Sequence, residues 1–195
     1  MKRHIHYEAA FEDYLRSRGV PYVPVQEARR AIFAGEGIKS FDFIVYPGGG
    51  RHWIVDVKGR RFPYFTERGA RRYWENWVAQ EDLSGLAEWQ KIFGGDFEAR
   101  LVFAYLLEGP PDRWPTLRPH PFRSEDYAFL SVRLDDYREH ARPRSSSWET
   151  VAMSMRRFRQ SCEPLDLSGA AGDRAPAAHQ PAESGCAAMD SSSAS

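Results

Sequence analysis

Cysteine is nearly missing from this chain, with two residues, Cys162 and Cys186, among 195. They form no CxxC pair and lie near and within a polar carboxyl-terminal stretch, which argues against a disulfide framework and against a zinc site. Long apolar runs are missing too. No segment approaches the roughly 20 residues that cross a bilayer. The opening MKRHIHYEAAFEDYL holds no apolar signal core, so a cytoplasmic protein without a membrane partner is expected. The third absence is an excess of charge. Lys and Arg number 27 and so do Asp and Glu, and a neutral chain does not as a whole attract polyanions. The balance is uneven, however: residues 1–75 carry 14 basic and 9 acidic side chains, and residues 76–140 carry 7 and 12.

What is present suits one domain. With 42% hydrophobic and 28% charged side chains, the chain is long enough for a sizeable core and short for two. Residues 163–195 turn to Ala, Ser, Gly and Pro and are expected to be disordered, which leaves residues 1–162 as the domain. Within it, Phe11, Tyr14, Leu15 and Arg18 keep helical spacing over residues 7–18, until Gly19 and Pro21. PYVPV reads as an edge strand because of its prolines. FDFIVYP and RHWIVDVKG read as short strands joined by the turn PGGG, hence a hairpin. DLSGLAEWQKIFGG sets Leu83, Leu86, Trp89, Gln90 and Phe93 near one helix face. ARLVFAYLL is a continuous apolar strand, YAFLSVRL another, and DDYREHA a short helix. A last helix is predicted from the capping box Ser146 to Glu149, presenting Trp148, Val151, Ala152, Met155 and Phe158. Arg156, Arg157 and Arg159 then fall near its carboxyl end, where the dipole favours cations. This order of elements predicts an α/β domain, a mixed sheet flanked by helices.

One strand carries charges that its apolar neighbours do not explain. Side chains alternate faces along a strand, so Asp56 and Lys58 share a face with Ile54, while Trp53, Val55 and Val57 take the other. In the preceding strand Asp42 shares a face with Ile44, and Phe41, Phe43 and Val45 share the opposite one. Pairing the two strands gathers Asp42, Asp56 and Lys58 at one end of one sheet face. Glu8 lies on the stripe of Phe11 and Leu15, at spacings of three and seven, which points a carboxylate along the apolar side of the first helix. Clustered carboxylates repel, and a shared proton or a divalent cation relieves them. Oxygen ligands at this density suit Mg2+ or Mn2+ better than Zn2+. His4 and His6 lack a third nitrogen or sulfur ligand nearby and do not make a zinc site. A magnesium ion beside a lysine fits phosphodiester hydrolysis, with the ammonium orienting water or stabilising charge in the transition state. Taken singly, Asp56-x-Lys58 is an ordinary exposed pair and Glu8 an ordinary first-turn acid. Their joint order and spacing point to a site.

A glutamate in a first helix, then an aspartate, then Asp-x-Lys after a turn is the signature of the PD-(D/E)xK phosphodiesterases. FDFIVYPGGGRHWIVDVKG resembles it through Asp42, Asp56 and Lys58. Within that superfamily the pattern resembles the archaeal-type Holliday junction resolvases over residues 7–107, with LSGLAEWQKIFGG and ARLVFAY extending the likeness. HYEAAFE also resembles the motif that names the uncharacterised bacterial HYExAFE family. The resemblance implies a restriction-endonuclease-like fold and a Mg2+-dependent (or Mn2+-dependent) endonuclease that hydrolyses DNA in recombination or repair. It implies Asp42 and Asp56 as metal ligands, the Val57 carbonyl as a third, Glu8 acting through the metal or a water on it, and Lys58 serving the nucleophile. Gln90 falls where some relatives place a supporting polar residue, and two-fold junctions imply a homodimer. The alternative is a member that keeps the fold as a nucleic-acid-binding or structural protein without cutting. Phe41 stands where the motif's name has proline, and residues 59–79 have no counterpart in the resolvase pattern.

That segment mixes five arginines with six aromatics and reads as a long loop or partial helix. Arg60, Arg61, Arg71 and Arg72 could hold phosphates while Phe62, Tyr64, Phe65, Tyr73, Trp74 and Trp77 stack bases. Equally, the aromatics could cover the sheet edge behind a solvated arginine rim. Arg29, Arg30 and Lys39, in the loop before Asp42, are phosphate contacts by position.

Overall fold

A computed structural model of the protein describes residues 5–25, 31–33, 36–66, 69–71, 74–111, 114, 118–144 and 149–167. The helices are α1 (Ile5–Ser17), α2 (Gln80–Phe93), α3 (Leu134–His140) and α4 (Met155–Ser161). The strands are β1 (Tyr22–Pro24), β2 (Ala31–Phe33), β3 (Glu36–Ile38), β4 (Phe43–Val45), β5 (His52–Phe62), β6 (Tyr64–Thr66) and β7 (Gly69–Arg71). They continue with β8 (Val78–Ala79), β9 (Phe97–Leu107), β10 (His120–Phe122), β11 (Glu125–Arg133), β12 (Arg142–Pro143), β13 (Thr150–Ala152) and β14 (Glu163–Pro164). The central sheet runs β1-β4-β5-β9-β11-β10, with β14 also on β11. Its pairs are antiparallel except β5 and β9, parallel from His52 opposite Phe97 to Phe62 opposite Leu107. α2 lies in the crossover that a parallel pair requires. The architecture is therefore the mixed α/β sheet with flanking helices that the element order predicted. No helix among the described residues is long and apolar enough to cross a membrane.

A parallel pair at the centre of a sheet is covered on both faces, which is why β9 is apolar without alternation. Its Val102, Ala104 and Leu106 join Phe11, Tyr14 and Leu15 of α1 in one core. Its Leu101, Phe103 and Tyr105 join Leu83, Leu86, Tyr137 and Phe158 of the other helices in a second. β5 divides in the same way: Val55 and Val57 lie under α1, and Ile54 under α2. The even-numbered residues that follow Ile54 therefore face α2. β5 does not stop at Gly59 but runs to Phe62. Gly59 marks the close approach of α1, because a Cβ there would fall inside the Tyr7 ring. Gly59→Ala is expected to lower the melting temperature, overpacking of this kind costing about 1–3 kcal/mol. An unchanged calorimetric melt would mean that Tyr7 moves aside freely.

Several expectations change. Residues 59–79 contain no helix among those described: β5 ends there, and a β6–β7 hairpin and β8 follow. The last helix starts at Met155, not at the Ser146 capping box. Ser154 caps it by accepting the Arg157 N–H, and Glu149 adopts φ 45°, which ends any helix running through it. Val151 and Thr150 pair instead with β8, so tertiary pairing overrides the local pattern. Ser146 and Trp148 lie outside the described residues. Phe41 precedes β4 and packs on Trp89 and Phe93 of α2, not beside Phe43 and Val45. The domain boundary at 162 comes too early. Glu163–Pro164 pairs with β11, the Tyr14 hydroxyl donates to the Leu165 carbonyl at 2.6 Å, and Leu167 is buried. Residues 168–195 lie outside the described residues.

Candidate active site

β4 begins at Phe43, and the residue before it completes the ladder with a side chain. The Asp42 N–H donates to the Val55 carbonyl at 2.9 Å, and Asp42 Oδ2 accepts the Val57 N–H at 2.6 Å. A carboxylate thus stands where the next strand carbonyl would be. Val55 and Val57 turn their backbone groups toward β4, while Asp56 and Lys58 send their side chains under α2. The first turn of α2 brings in Asp82, buried like Asp42 and Asp56 at 8% exposure each. Lys58 Nζ lies 2.7 Å from Asp56 Oδ2 and donates to Asp82 Oδ2 at 2.6 Å. The Lys39 ammonium pairs with Asp82 Oδ1. Asp56 and Glu8 of α1 are both near enough for their charges to act on Asp42. Glu8 approaches from the α1 face, and Asp56, Lys58 and Asp82 lie on the α2 face. Asp42 stands between them, at the edge that β4 leaves open.

Four carboxylates face two ammoniums, and their protonation reflects this. Burial, then the charges of Asp56 and Glu8, hold Asp42 well above the usual carboxylate range despite the Val57 N–H. Asp56 is also raised, chiefly by burial, with Asp82 adding to it and Lys58 opposing. Burial alone would lower Lys58, but the Asp56 and Asp82 charges reverse that and hold it raised. Burial would raise Asp82, yet Lys58 and Lys39 bring it down. Asp82 thus has two ammoniums against its burial, whereas Asp56 has Lys58 alone.

These shifts fix the sign of a pH dependence. A carboxyl raised in the folded state binds its proton more tightly there, so its contribution to stability is complete below the unfolded value and is lost as pH rises through the folded one. Without metal, the protein is expected to lose stability as pH climbs from about 3.8 through the raised range of Asp42 and Asp56. Asp82 acts oppositely, its contribution disappearing as pH falls below that value. Chemical denaturation across pH 4–8 in chelator checks this, and a profile that rises over the window would refute the assignment.

The remaining expected residues are placed less centrally. Gln90 Oε1 accepts the Ala99 N–H at 2.6 Å and pins α2 to β9, away from the carboxylates. Arg60 is buried and donates to the Gly59 carbonyl at 2.7 Å and to the Trp77 carbonyl, which corrects its reading as a nucleic-acid contact. Its even number on β5 turns it inward, under Trp77. Arg61 is exposed and pairs with Glu108 at 3.1 Å. Lys39 is partly exposed beside the cluster, its carbonyl held by the Trp89 indole at 2.9 Å. Arg29 and Arg30 lie outside the described residues, as does His4, while His6 meets the Tyr127 hydroxyl at 2.9 Å. Phe62 stacks on Trp74, which packs on Tyr105, so these two aromatics of the 59–79 segment cover the sheet. A separate cavity of about 200 Å³, lined by Tyr14, Arg18, Arg118 and Leu165, includes none of the cluster.

Asp82 is the member that sequence reasoning missed. An acid in a helix's first turn is ordinary, which hid it. The available signal was its spacing of four from Leu86, on the buried stripe, together with Gly85. A Cβ at Gly85 would lie 3.0 Å from that of Lys39, so the glycine admits the lysine segment. Among the described residues no group of three or more His, Cys, Asp or Glu side chains is arranged to hold a metal ion. The donor chemistry still fits one: two buried carboxyls on neighbouring segments, both held above the usual carboxylate range chiefly by burial, which a cation would offset.

No family model matches the chain, and no curated protein matches it. Among solved structures it is similar to Hjc, a Holliday junction resolvase from the archaeal hyperthermophile Archaeoglobus fulgidus. The TM-score is 0.48 at 12% identity, over 86% of this chain and 99% of that one.

Proposed function

We propose that the protein is a divalent-metal-dependent nuclease that hydrolyses phosphodiester bonds in DNA. The observation that carries this reading is the pair of buried carboxylates, Asp42 just before β4 and Asp56 on β5, with the Lys58 ammonium 2.7 Å from Asp56. Asp42, Asp56 and the Val57 carbonyl would hold Mg2+ or Mn2+, with Glu8 supplying a carboxylate from the α1 side. Magnesium is commonly bound by only one or two carboxylates, keeping water and substrate oxygens for the rest, so a closed protein cage is not required. A cation there would polarise a phosphoryl oxygen and favour attack by water.

The chain's own groups have distinct tasks. Lys58 stays an ammonium at neutral pH and is no general base; it opposes the charge that builds on the phosphate and orients the attacking water. Asp82 holds that ammonium in place when Asp56 is engaged elsewhere. The proposal includes DNA as the partner and a homodimer acting on a two-fold substrate. It is tested by incubating the protein with labelled branched, duplex and single-stranded DNA, and with RNA, in Mg2+, Mn2+ or chelator. Cleavage of DNA that requires metal is expected. Cleavage persisting in chelator overturns the metal assignment, and no cleavage in Mn2+ overturns the nuclease reading.

A further inference from the structure

A groove of about 480 Å³ opens between β12, β13 and the start of α4, lined by His140, Arg142, Arg144, Ser154 and Arg157 among others. Residues 138–159 hold six arginines against two acids, Glu139 and Glu149, in a chain that is neutral overall. Arg144 and Arg157 are exposed and form no ion pair among the described residues.

Two observations indicate what this charge serves. Arg156 and Arg157 stand in the first turn of α4, which has no acidic residue, although the helix dipole disfavours cations there. The second observation is position. The Arg144 guanidinium lies 5.6 Å from the centre of the Trp77 ring, on which the Arg60 guanidinium also rests at 4.0 Å. Arg60 follows Lys58 by two residues on the same face of β5, about 7 Å along the strand. Trp77 thus links Arg144, at the groove, to the buried Arg60 and so to the Lys58 end of β5.

We infer that this groove seats the phosphate backbone of a nucleic-acid strand whose reacting bond lies at the Lys58 cluster. The inference rests on the nuclease reading for its substrate class. A polymer fits better than a small anion because the guanidiniums are spread along an open groove. Their forked donors match phosphate oxygens. Arg142 is a poor test residue, since its guanidinium donates to the Glu139 and Ala141 carbonyls at the end of α3.

The test compares the wild type with the double variant Arg144→Gln/Arg157→Gln, and with Arg51→Gln, at an exposed residue just before β5, as a control. Binding of labelled duplex and single-stranded oligonucleotides is measured by anisotropy over a salt series, with melting curves to verify folding. The double variant is expected to lose roughly tenfold in affinity and about two counterions in salt slope, while the control binds as wild type. Unchanged affinity and slope overturn the groove, as does a wild type that binds polyglutamate or phosphatidylserine vesicles as well as nucleic acid. Loss of binding in the double variant alongside a wild type that never cuts keeps the groove and removes the nuclease reading. Intact binding with metal-dependent cleavage does the reverse.

Discussion

Asp42→Asn is expected to lower metal-dependent cleavage by roughly 10³-fold while making the metal-free protein more stable at pH 8. The amide keeps an oxygen to accept the Val57 N–H but removes a buried charge that repels Asp56 and Glu8. Removing a charge from a crowded, desolvated cluster relieves the folded state, and the Val57 N–H keeps its acceptor. Adding Mg2+ should raise the melting temperature of the wild type, since a ligand that binds only the folded state stabilises it, and leave that of the variant unmoved. Asp56→Ala should lose cleavage to the same degree but gain less in stability, because it also takes a partner from Lys58 at 2.7 Å. Activity assays and calorimetry with and without metal check both variants. Cleavage within tenfold of wild type, or a melt of Asp42→Asn below wild type in chelator, would sink the assignment of Asp42 to a cation site.

The site was legible in the sequence where residue parity decides the outcome. The period of two on β5 places Asp56 and Lys58 opposite Val55 and Val57 whatever the rest of the fold does. The period of 3.6 on α1 likewise places Glu8 beside Phe11. Asp42 needed one further step, the hairpin, which PGGG supplied. Asp82 was not legible, because its place in the cluster depends on where α2 lands on the sheet, and that is set by the crossover from β5 to β9 and not by local pattern. Arg60 was misread for a related reason. Composition shows arginines among aromatics, but only the continuation of β5 past Gly59 reveals that residue 60 points under Trp77. Gly59 looked like a strand terminator and is instead a point of contact with Tyr7. The capping box before Trp148 failed because β8 offers Thr150 and Val151 a ladder, which outweighs a few tenths of helix preference per residue.

Lys58→Ala gives the second large effect, and it separates chemistry from architecture. Removing one partner of a buried ion pair leaves the others uncompensated, which typically costs about 3–5 kcal/mol. Lys58 is 16% exposed and serves two carboxylates, Asp56 and Asp82, so the single variant is expected to melt well below wild type at pH 7. Its deficit should shrink at low pH, where the stranded carboxyls take up protons. Loss of cleavage in that variant alone would prove little, since a loosened site also fails. The double variant Lys58→Ala/Asp82→Asn removes the ammonium together with one of the charges it neutralises, and Lys39 is released to solvent from its partly exposed position. It should recover most of the lost stability. If Lys58 acts on the phosphate, the double variant stays inactive despite its restored fold. If Lys58 merely neutralises a crowded cluster, the same double variant regains cleavage, and the role assigned to the ammonium is wrong.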